Sequence, residues 1–241
     1  EVGRTGIINN VVYDRSCKGF RLEQLNSTEL SNGEMLAVCK ILLDSRALLK
    51  TEMIDILDKL VESCVSKKNR KEILDLIQNE KFHYVEPRHK TAFLDTMWKI
   101  GQAIRKSQYI EIDYEKPGNK EKIKRKLKPV AIMFSEYYFY LTAFISDEEA
   151  RKNFDVINDS FPTIYRIDRI KEMKVLEEKF FIPYRSRFEE GEFRKRVQFM
   201  YGGKLRNVKF KYKGDDVDAI LDRLPTAQVI DGGSDYYTIK A

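Results

Sequence analysis

The spacing of apolar residues predicts a helical stretch in the first half of the chain. Across residues 27–79 apolar side chains recur at helical intervals, which predicts three consecutive helices. Pro87 interrupts this pattern, and a fourth helix is predicted from about residue 90 to residue 106. In that helix we expect the lone Trp98 to be a core anchor.

Two of the predicted helices begin with a capping pattern. Ser31 is followed by Glu34, and Asn69 is followed by Glu72. At this spacing the first side chain accepts from a backbone N–H of the first turn, and the carboxylate accepts from the backbone N–H of the cap. We therefore predict capping boxes at both positions.

Strands are predicted on both sides of the helices. Residues 7–25 contain two β-prone runs and a polar stretch that ends in Gly19, which indicates a hairpin. After Gln108 the runs at 109–114, 122–134, 137–145 and 163–170 all favour strands. Short strands in such close succession predict a small barrel or a tightly curled sheet.

The chain changes pattern again after about residue 175. Strands at 206–212 and 235–239 surround a helix at about 215–224, which is typical of a small α+β module. The predicted fold class of the whole chain is therefore α+β, with a helical bundle, a small bent β-barrel and this module.

Composition describes a globular protein of the cytoplasm. Hydrophobic residues make up 42% of the chain and charged residues 34%, and no apolar run is long enough to cross a membrane. The three cysteines are odd in number, which favours free thiols in a reducing compartment over a disulfide framework. Because the first residue is Glu1 and not Met, we expect the chain to begin inside a longer protein.

The formal net charge of +6 is unevenly distributed. Residues 105–128 contain nine Lys or Arg against four acids, and residues 191–213 contain eight against one. Two basic segments in an otherwise acidic chain suit a phosphate-bearing partner that is met at defined surfaces. Solvated strand faces would produce the same pattern, and the sequence leaves both explanations open.

No catalytic constellation is found in the sequence. His83 and His89 have no Cys or carboxylate at the spacing of zinc ligands, and phosphate-loop and nucleophile-elbow motifs do not occur. Gly202-Gly203-Lys204 is too short for a phosphate loop and is interpreted as a turn. We therefore expect a protein that is not an enzyme and that has no cofactor and no metal site.

Residues 104–170 resemble a WYL domain, a family named after a Trp-Tyr-Leu triplet. The triplet corresponds to Phe139-Tyr140-Leu141, with Phe in place of Trp. Around it lie an Ile-x-Ile-x-Tyr strand that ends at Tyr114, a basic block Arg125-Lys-Leu-Lys-Pro129, and the block Tyr165-Arg-Ile-Asp-Arg-Ile170. Thr163 stands where many relatives have another Arg, which leaves the identity of the ligand open.

The resemblance also implies a domain organisation. Residues 1–25 resemble the remnant wing of a winged helix-turn-helix, and residues 26–88 resemble a helical linker region. The WYL domain, expected as a small Sm-like bent β-barrel, would cover residues 89–175, and residues 176–241 resemble the family's C-terminal extension, which we expect to be truncated.

The expected ligand-binding residues are three arginines and two tyrosines of these blocks: Tyr114, Arg125, Tyr140, Arg166 and Arg169. Arg binds phosphate through a planar fork, and Tyr stacks on bases or donates a hydrogen bond. Strand alternation means that not all five side chains face one ligand. Arg169 could instead form a structural ion pair with Asp168 or another acid, and Tyr140 could be a core residue.

The resemblance implies a bacterial, homodimeric transcription regulator. It would bind duplex DNA through its N-terminal domain, with Arg15 and Lys18 of the wing on the DNA backbone. Its WYL domain would bind a negatively charged effector, a nucleotide or single-stranded nucleic acid. An accessory protein that binds nucleic acid and modulates a CRISPR-like RNA- or DNA-processing complex is the alternative, and an enzyme acting on a nucleotide-like substrate would need a catalytic group that the sequence does not offer.

Overall fold

The fold is mixed α and β and divides into two units. The computed structural model describes residues 9–24, 30–116, 121–147, 162–181, 188–197, 200, 206–214, 216–232 and 236–241. Contacts separate unit 1, Glu1–Lys90, from unit 2, Thr91–Ala241. Gly202-Gly203-Lys204, interpreted above as a turn, lies outside the described residues.

Unit 1 begins with the predicted hairpin. Strand β1 (Asn9–Asp14) pairs antiparallel with β2 (Gly19–Gln24), and four residues form the turn between them. Within the described residues β1 and β2 form a two-stranded sheet of their own and do not join the sheet of unit 2. Lys18 in the turn has a φ of 50°, a left-handed conformation that is common in tight hairpins.

Three helices follow the hairpin, as the apolar spacing predicts. They are α1 (Asn32–Ser45), α2 (Lys50–Cys64) and α3 (Arg70–Phe82), and each contacts the other two. Their common core is made of fully buried side chains that recur at helical spacing: Met35, Cys39, Met53, Leu57, Ile73 and Ile77.

One of the two predicted capping boxes is present. At α1 the Glu34 N–H donates to Ser31 Oγ at 3.3 Å and the Ser31 N–H donates to Glu34 Oε2 at 2.9 Å. The prediction for α3 is wrong, because the cap residue Asn69 has a helical backbone (φ −100°, ψ −9°) and makes no side-chain cap hydrogen bond. Its side-chain amide donates instead to Asn32 Oδ1 at 3.0 Å, which ties the starts of α3 and α1 together.

Unit 2 contains helix α4 (Leu94–Lys106) and a five-stranded antiparallel sheet. The strands are β3 (Gln108–Glu115), β4 (Lys122–Ser135), β5 (Tyr138–Ile145), β6 (Thr163–Arg166) and β7 (Ile170–Lys179). Their order in the sheet is β6-β5-β4-β3-β7. The antiparallel sheet predicted after Gln108 is therefore confirmed.

The chain path shows that this sheet is strongly curled. Strands β6 and β7 are at opposite edges, yet a 3₁₀ turn of three residues, Ile167–Arg169, joins them. In a flat sheet β6 and β3 would lie about 14 Å apart, since neighbouring strands are spaced by about 4.8 Å. Tyr114 at the end of β3 nevertheless accepts a hydrogen bond from the Arg166 N–H of β6 at 3.3 Å.

The curl does not complete a barrel in the described part of the chain. No backbone ladder joins β6 to β7 there, and the Tyr114 hydroxyl bridges the gap between β3 and β6. The bent sheet that was expected is present, whereas the closed form of the expected barrel is not found among these residues.

The expectation for Trp98 is wrong. The side chain is 69% exposed, and α4 buries Ile100 and Ala103 instead, which lie on the opposite side of the helix. The helix is amphipathic, and only some of its apolar residues lie on the buried face.

The last part of unit 2 contains a short helix and a small sheet. The elements are α5 (Glu190–Arg196), β8 (Lys209–Tyr212), α6 (Asp218–Arg223), β9 (Gln228–Gly232) and β10 (Tyr237–Lys240). The sheet order is β8-β10-β9, with antiparallel pairing throughout. Two predicted strands and the helix between them are confirmed, and β9 was not predicted.

None of the helices in the described ranges is long and apolar enough to span a bilayer.

Candidate functional site

The register of the sheet separates the predicted ligand-binding residues onto two faces. Directly paired residues of antiparallel strands point to the same face. Arg125 is paired with Ile112, which is 1% exposed, so Arg125 belongs to the inner face of the curl. Arg166 is paired with Tyr140, and Tyr140 with Met133, which places these three on the opposite face.

The inner face carries an arginine with incomplete hydrogen bonding. Arg125 is partly exposed and its Nη1 donates to the Lys124 carbonyl at 3.1 Å. Its Nε is buried and makes no hydrogen bond with the described residues. A buried N–H without a partner costs roughly 1–3 kcal/mol, more on a charged group. This position is therefore one where an added acceptor would be stabilised.

Tyr165 also belongs to the inner face, and its hydroxyl, like Arg125 Nε, is a buried polar atom without a hydrogen bond in the described residues. The side chain is 4% exposed, and within the described part of the chain its hydroxyl makes no hydrogen bond of standard geometry. Burial raises the pKa of Tyr165 well above its ordinary value, while the positive charge of Arg125 and the nearby Thr163 hydroxyl lower it. Tyr165 is paired with Leu141, a fully buried residue of the inner face.

Tyr114 completes the inner cluster. It is 8% exposed, and its ring meets the Tyr165 ring edge-on with centroids 5.1 Å apart. Its hydroxyl accepts from the Arg166 backbone, as described above, and so holds the strand that carries Tyr165. The structure therefore brings together Tyr114 and Arg125 of the predicted set, and adds Tyr165.

On the outer face Arg166 already has a counter-ion. Its Nε and Nη2 donate to the two carboxylate oxygens of Asp168 at 3.1 and 2.8 Å, with side-chain exposures of 19% for Arg166 and 4% for Asp168. The guanidinium also stacks on Tyr138, 3.4 Å from the ring centroid. Burial lowers the pKa of Arg166, and the hydrogen bonds that it donates to Asp168 raise the pKa, with a net rise.

The sequence left open whether Tyr140 is a core residue or a site residue, and its surroundings fit both roles. It is partly buried against an apolar cluster that includes Met133, Phe193 and Met200. Burial raises the pKa of its hydroxyl, and the Arg166 charge lowers it. The ring is thus part of a core and also a neighbour of Arg166.

Arg169 lies apart from both clusters of strand residues. It closes the 3₁₀ turn Ile167–Arg169 and is partly exposed. The ion pair that the sequence suggested for Asp168 is made by Arg166 instead of Arg169. Sequence spacing could not separate these two arginines, because the turn between β6 and β7 breaks the alternation of the strands.

Two lysines of the first basic segment have acidic neighbours. Lys124 lies 3.7 Å from Glu111, and Lys126 forms an ion pair with Glu178. These are exposed pairs on the outer face of the sheet, where such pairs contribute little. Lys124 and Lys126 therefore behave as a solvated strand face, which was one of the two explanations considered for this segment.

The hairpin presents the residues predicted for the wing. Arg15 and Lys18 lie in the turn between β1 and β2, and both are exposed. Behind them Tyr13 and Phe20 pack edge-on with centroids 5.3 Å apart, although they are 52% and 77% exposed.

Comparisons with known proteins identify part of unit 2. The family model described as "WYL domain" matches residues 95–175. Among solved structures, the chain is similar to proteasome accessory factor B/C (PafBC) of Arthrobacter aurescens, with 12% sequence identity and a TM-score of 0.38. The match covers 98% of this chain and 32% of that one, so the chain spans about a third of the length of that protein. No curated protein matches.

Proposed function

Residues 95–175 of this chain are a WYL domain, and on that premise we propose that the protein is a ligand-responsive transcription regulator. Its WYL domain binds a negatively charged effector, a nucleotide or single-stranded nucleic acid, and this binding modulates the affinity for duplex DNA. The observation that carries the proposal is the inner cluster, where Arg125 has a buried Nε without an acceptor in the described residues.

The chemistry of the inner cluster favours an anion. A phosphate oxygen that accepts from Arg125 removes the cost of the unpaired N–H and gains a charge-assisted hydrogen bond. The Tyr165 hydroxyl supplies a neutral donor on the same face as the guanidinium. A phenol keeps its proton at neutral pH.

Arg166, on the outer face, is not the principal anion contact in this proposal. Arg166 is bound to Asp168 through both carboxylate oxygens, so an anion would have to compete with that carboxylate. We therefore assign the principal anion contact to Arg125 and Tyr165, and to Tyr114 the role of holding the strand that carries Tyr165. Arg166, Arg169 and Tyr140 stay predictions for a ligand that also reaches the opposite face or the turn.

DNA binding is assigned to the N-terminal part of the protein. The exposed Arg15 and Lys18 of the hairpin would contact the phosphate backbone and position the protein on the duplex without reading its sequence. A homodimer in the cytoplasm belongs to the same proposal, since regulators of this kind read two half-sites with matching symmetry.

The proposal is tested by titrating a dinucleotide and a labelled single-stranded oligonucleotide at two salt concentrations. Arg125→Ala should weaken binding by about 1.5–3 kcal/mol, the value of a hydrogen bond to a charged group. Binding to the wild type should weaken steeply with salt, because each neutralised phosphate releases condensed counter-ion. Lys195→Ala, which removes one exposed charge of the same unit, serves as the matched control.

Two outcomes contradict the anion site. One is equal affinity of wild type and Arg125→Ala for both ligands, and the other is binding that does not respond to salt. Arg166→Ala separates the two faces, because it should have a smaller effect than Arg125→Ala if the anion lies on the inner face.

A further inference from the structure

A groove of about 560 Å³ opens in unit 2 where α4 ends. Its walls come from the end of α4, from the irregular point of β4 and from the segment after β7, and they include Arg105, Ser107, Pro129, Phe180, Phe181 and Phe188. Volumes of roughly 300–1,000 Å³ are typical of ligand sites. The groove lies outside both arginine clusters described above.

The floor and rim of the groove are aromatic. Phe180 is 8% exposed and is fixed by the Tyr109 ring, whose centroid is 5.3 Å away, and by its N–H, which donates to the Ser107 carbonyl at 2.9 Å. Phe188 is held by the Phe193 ring with centroids 5.0 Å apart. Phe181 is 87% exposed, so a large ring stands in solvent beside two anchored rings.

Cations lie beside these rings. Arg105 is exposed in the last turn of α4 and has no carboxylate partner among the described residues. Lys128 Nζ lies 6.0 Å from the Tyr109 centroid, and Tyr109 in turn contacts Phe180. Lys126 lies over the same ring but is neutralised by Glu178. Arg105 therefore places a positive charge in the wall of the groove, and Lys128 lies near that wall through the Tyr109 ring.

We propose that this groove binds single-stranded nucleic acid, with an unpaired base stacked on Phe181 and phosphates held by Arg105 and Lys128. An exposed ring next to cations suits a ligand that has both a π-face and negative charge, the combination used by proteins that bind single strands. A duplex would not fit this chemistry, because its bases are already stacked on each other. The inference rests on the proposed function, since it takes the effector to be a nucleic acid.

The groove would extend the inner cluster rather than duplicate it. Arg125 and Pro129 are four residues apart on β4, which corresponds to about 13 Å along a strand. A dinucleotide bound at Arg125 would leave the groove empty, whereas a longer strand would occupy both. Ligand length therefore distinguishes the two sites.

The test measures the anisotropy of a labelled oligothymidylate of about 12 nucleotides, a length within the range that single-strand binding modules cover. Phe181→Ala should weaken its binding about 5- to 100-fold, the usual effect of losing one stacked base. Arg105→Ala should weaken it about 10-fold. The affinity for a dinucleotide should be unchanged in both variants.

Matched controls exclude general effects of surface changes. Phe82→Ala removes another exposed ring, one that is 73% exposed in unit 1, and Lys99→Ala removes an exposed charge from α4 itself. Both should bind the oligonucleotide like the wild type. Phe181→Ala should fold normally because its side chain makes little contact, and a circular dichroism spectrum identical to that of the wild type verifies this.

The outcomes separate this inference from the proposed function. Arg125→Ala could weaken the binding of both ligands while Phe181→Ala and Arg105→Ala bind the oligonucleotide like the wild type. In that case the inference about the groove is wrong and the proposed anion site is supported. If the wild type binds neither ligand, both proposals fail. If an unstructured acidic peptide competes with the oligonucleotide at Phe181 more strongly than unlabelled oligothymidylate does, the groove is a peptide site and the inference is wrong.

Discussion

At the scale of single residues, Arg125 and Arg166 show how neighbours decide what an arginine does. Both lie on strands of the same sheet, and both were predicted from the sequence to bind the ligand. Arg166 is bound by Asp168 two residues later, whereas Arg125 keeps a buried N–H without an acceptor in the described chain. Only the second arrangement is completed by an added anion.

Tyr165 gives a prediction about alkaline pH. Burial raises its pKa above the ordinary value of 10.0, so the folded protein keeps a proton that the unfolded chain loses. Its contribution to stability is complete below pH 10.0 and is lost as the pH rises through and beyond that value. Tyr165→Phe should therefore lose less stability than the wild type between pH 7 and about pH 11.

Urea unfolding at the two pH values measures this difference. At neutral pH Tyr165→Phe should change the free energy of unfolding by less than about 1 kcal/mol, because the hydroxyl it removes makes no standard hydrogen bond in the described chain. Tyr137→Phe, at a side chain that is 44% exposed, is the control and should follow the wild type. The same alkaline loss in Tyr165→Phe and wild type would show that the phenol is not buried in solution.

At the scale of elements, the start of α1 is held by a reciprocal pair of hydrogen bonds. Ser31→Ala should lower the free energy of unfolding by about 1 kcal/mol, the usual cost of losing such a cap. The side-chain hydrogen bond from Ser31 and the bond from its backbone N–H lower the pKa of Glu34. That contribution is present above the ordinary value of 4.5 and is lost as the pH falls through the lowered pKa.

Chemical denaturation of the two proteins at neutral and acidic pH provides the measurement. The difference between wild type and Ser31→Ala should shrink at acidic pH, where protonated Glu34 no longer accepts strongly. Ser66→Ala is a suitable control, because Ser66 contributes its backbone carbonyl to the hydrogen bond from Asn69. A cost for Ser66→Ala equal to that for Ser31→Ala would contradict the capping explanation.

The elements also show where sequence reasoning succeeds and fails. Helices α1 to α3 were predictable because their apolar spacing is the direct consequence of one buried face. Strand β9 was not, because all five of its residues are exposed and the alternation of a half-buried strand is missing. The sequence also could not predict on which face of the sheet each site residue lies. That face depends on the register between the strands, and β4 contains an irregularity between Pro129 and Ala131.

At the scale of the whole molecule, both proposed effector sites belong to unit 2. Arg125, Tyr165 and the groove at Phe181 lie within Thr91–Ala241, while the hairpin belongs to Glu1–Lys90. Residues 91–241 expressed alone should therefore bind the single-stranded oligonucleotide with an affinity close to that of the full chain. Calorimetric titration of both proteins checks this, and loss of binding by the fragment would place part of the site in unit 1.

Binding of duplex DNA should depend on the hairpin of unit 1. The hairpin supplies backbone contacts, which position a protein but do not read sequence. The chain that starts at Glu1 should accordingly bind a specific operator weakly or not at all, and the fragment 91–241 should bind it no better.

The short turn between β6 and β7 has a consequence for the alignment of the strands. A slip of one residue in a strand would exchange its two faces, and in β6 it would move Tyr165 outward and Arg166 inward. Because the connection Ile167–Arg169 is only three residues long, β6 cannot slip against β5 unless β7 also slips against β3. The registers at the two edges are therefore coupled, and the register shifts of the β3–β7 pair lie next to Ile110 and Tyr114, where the extra residues are on β7.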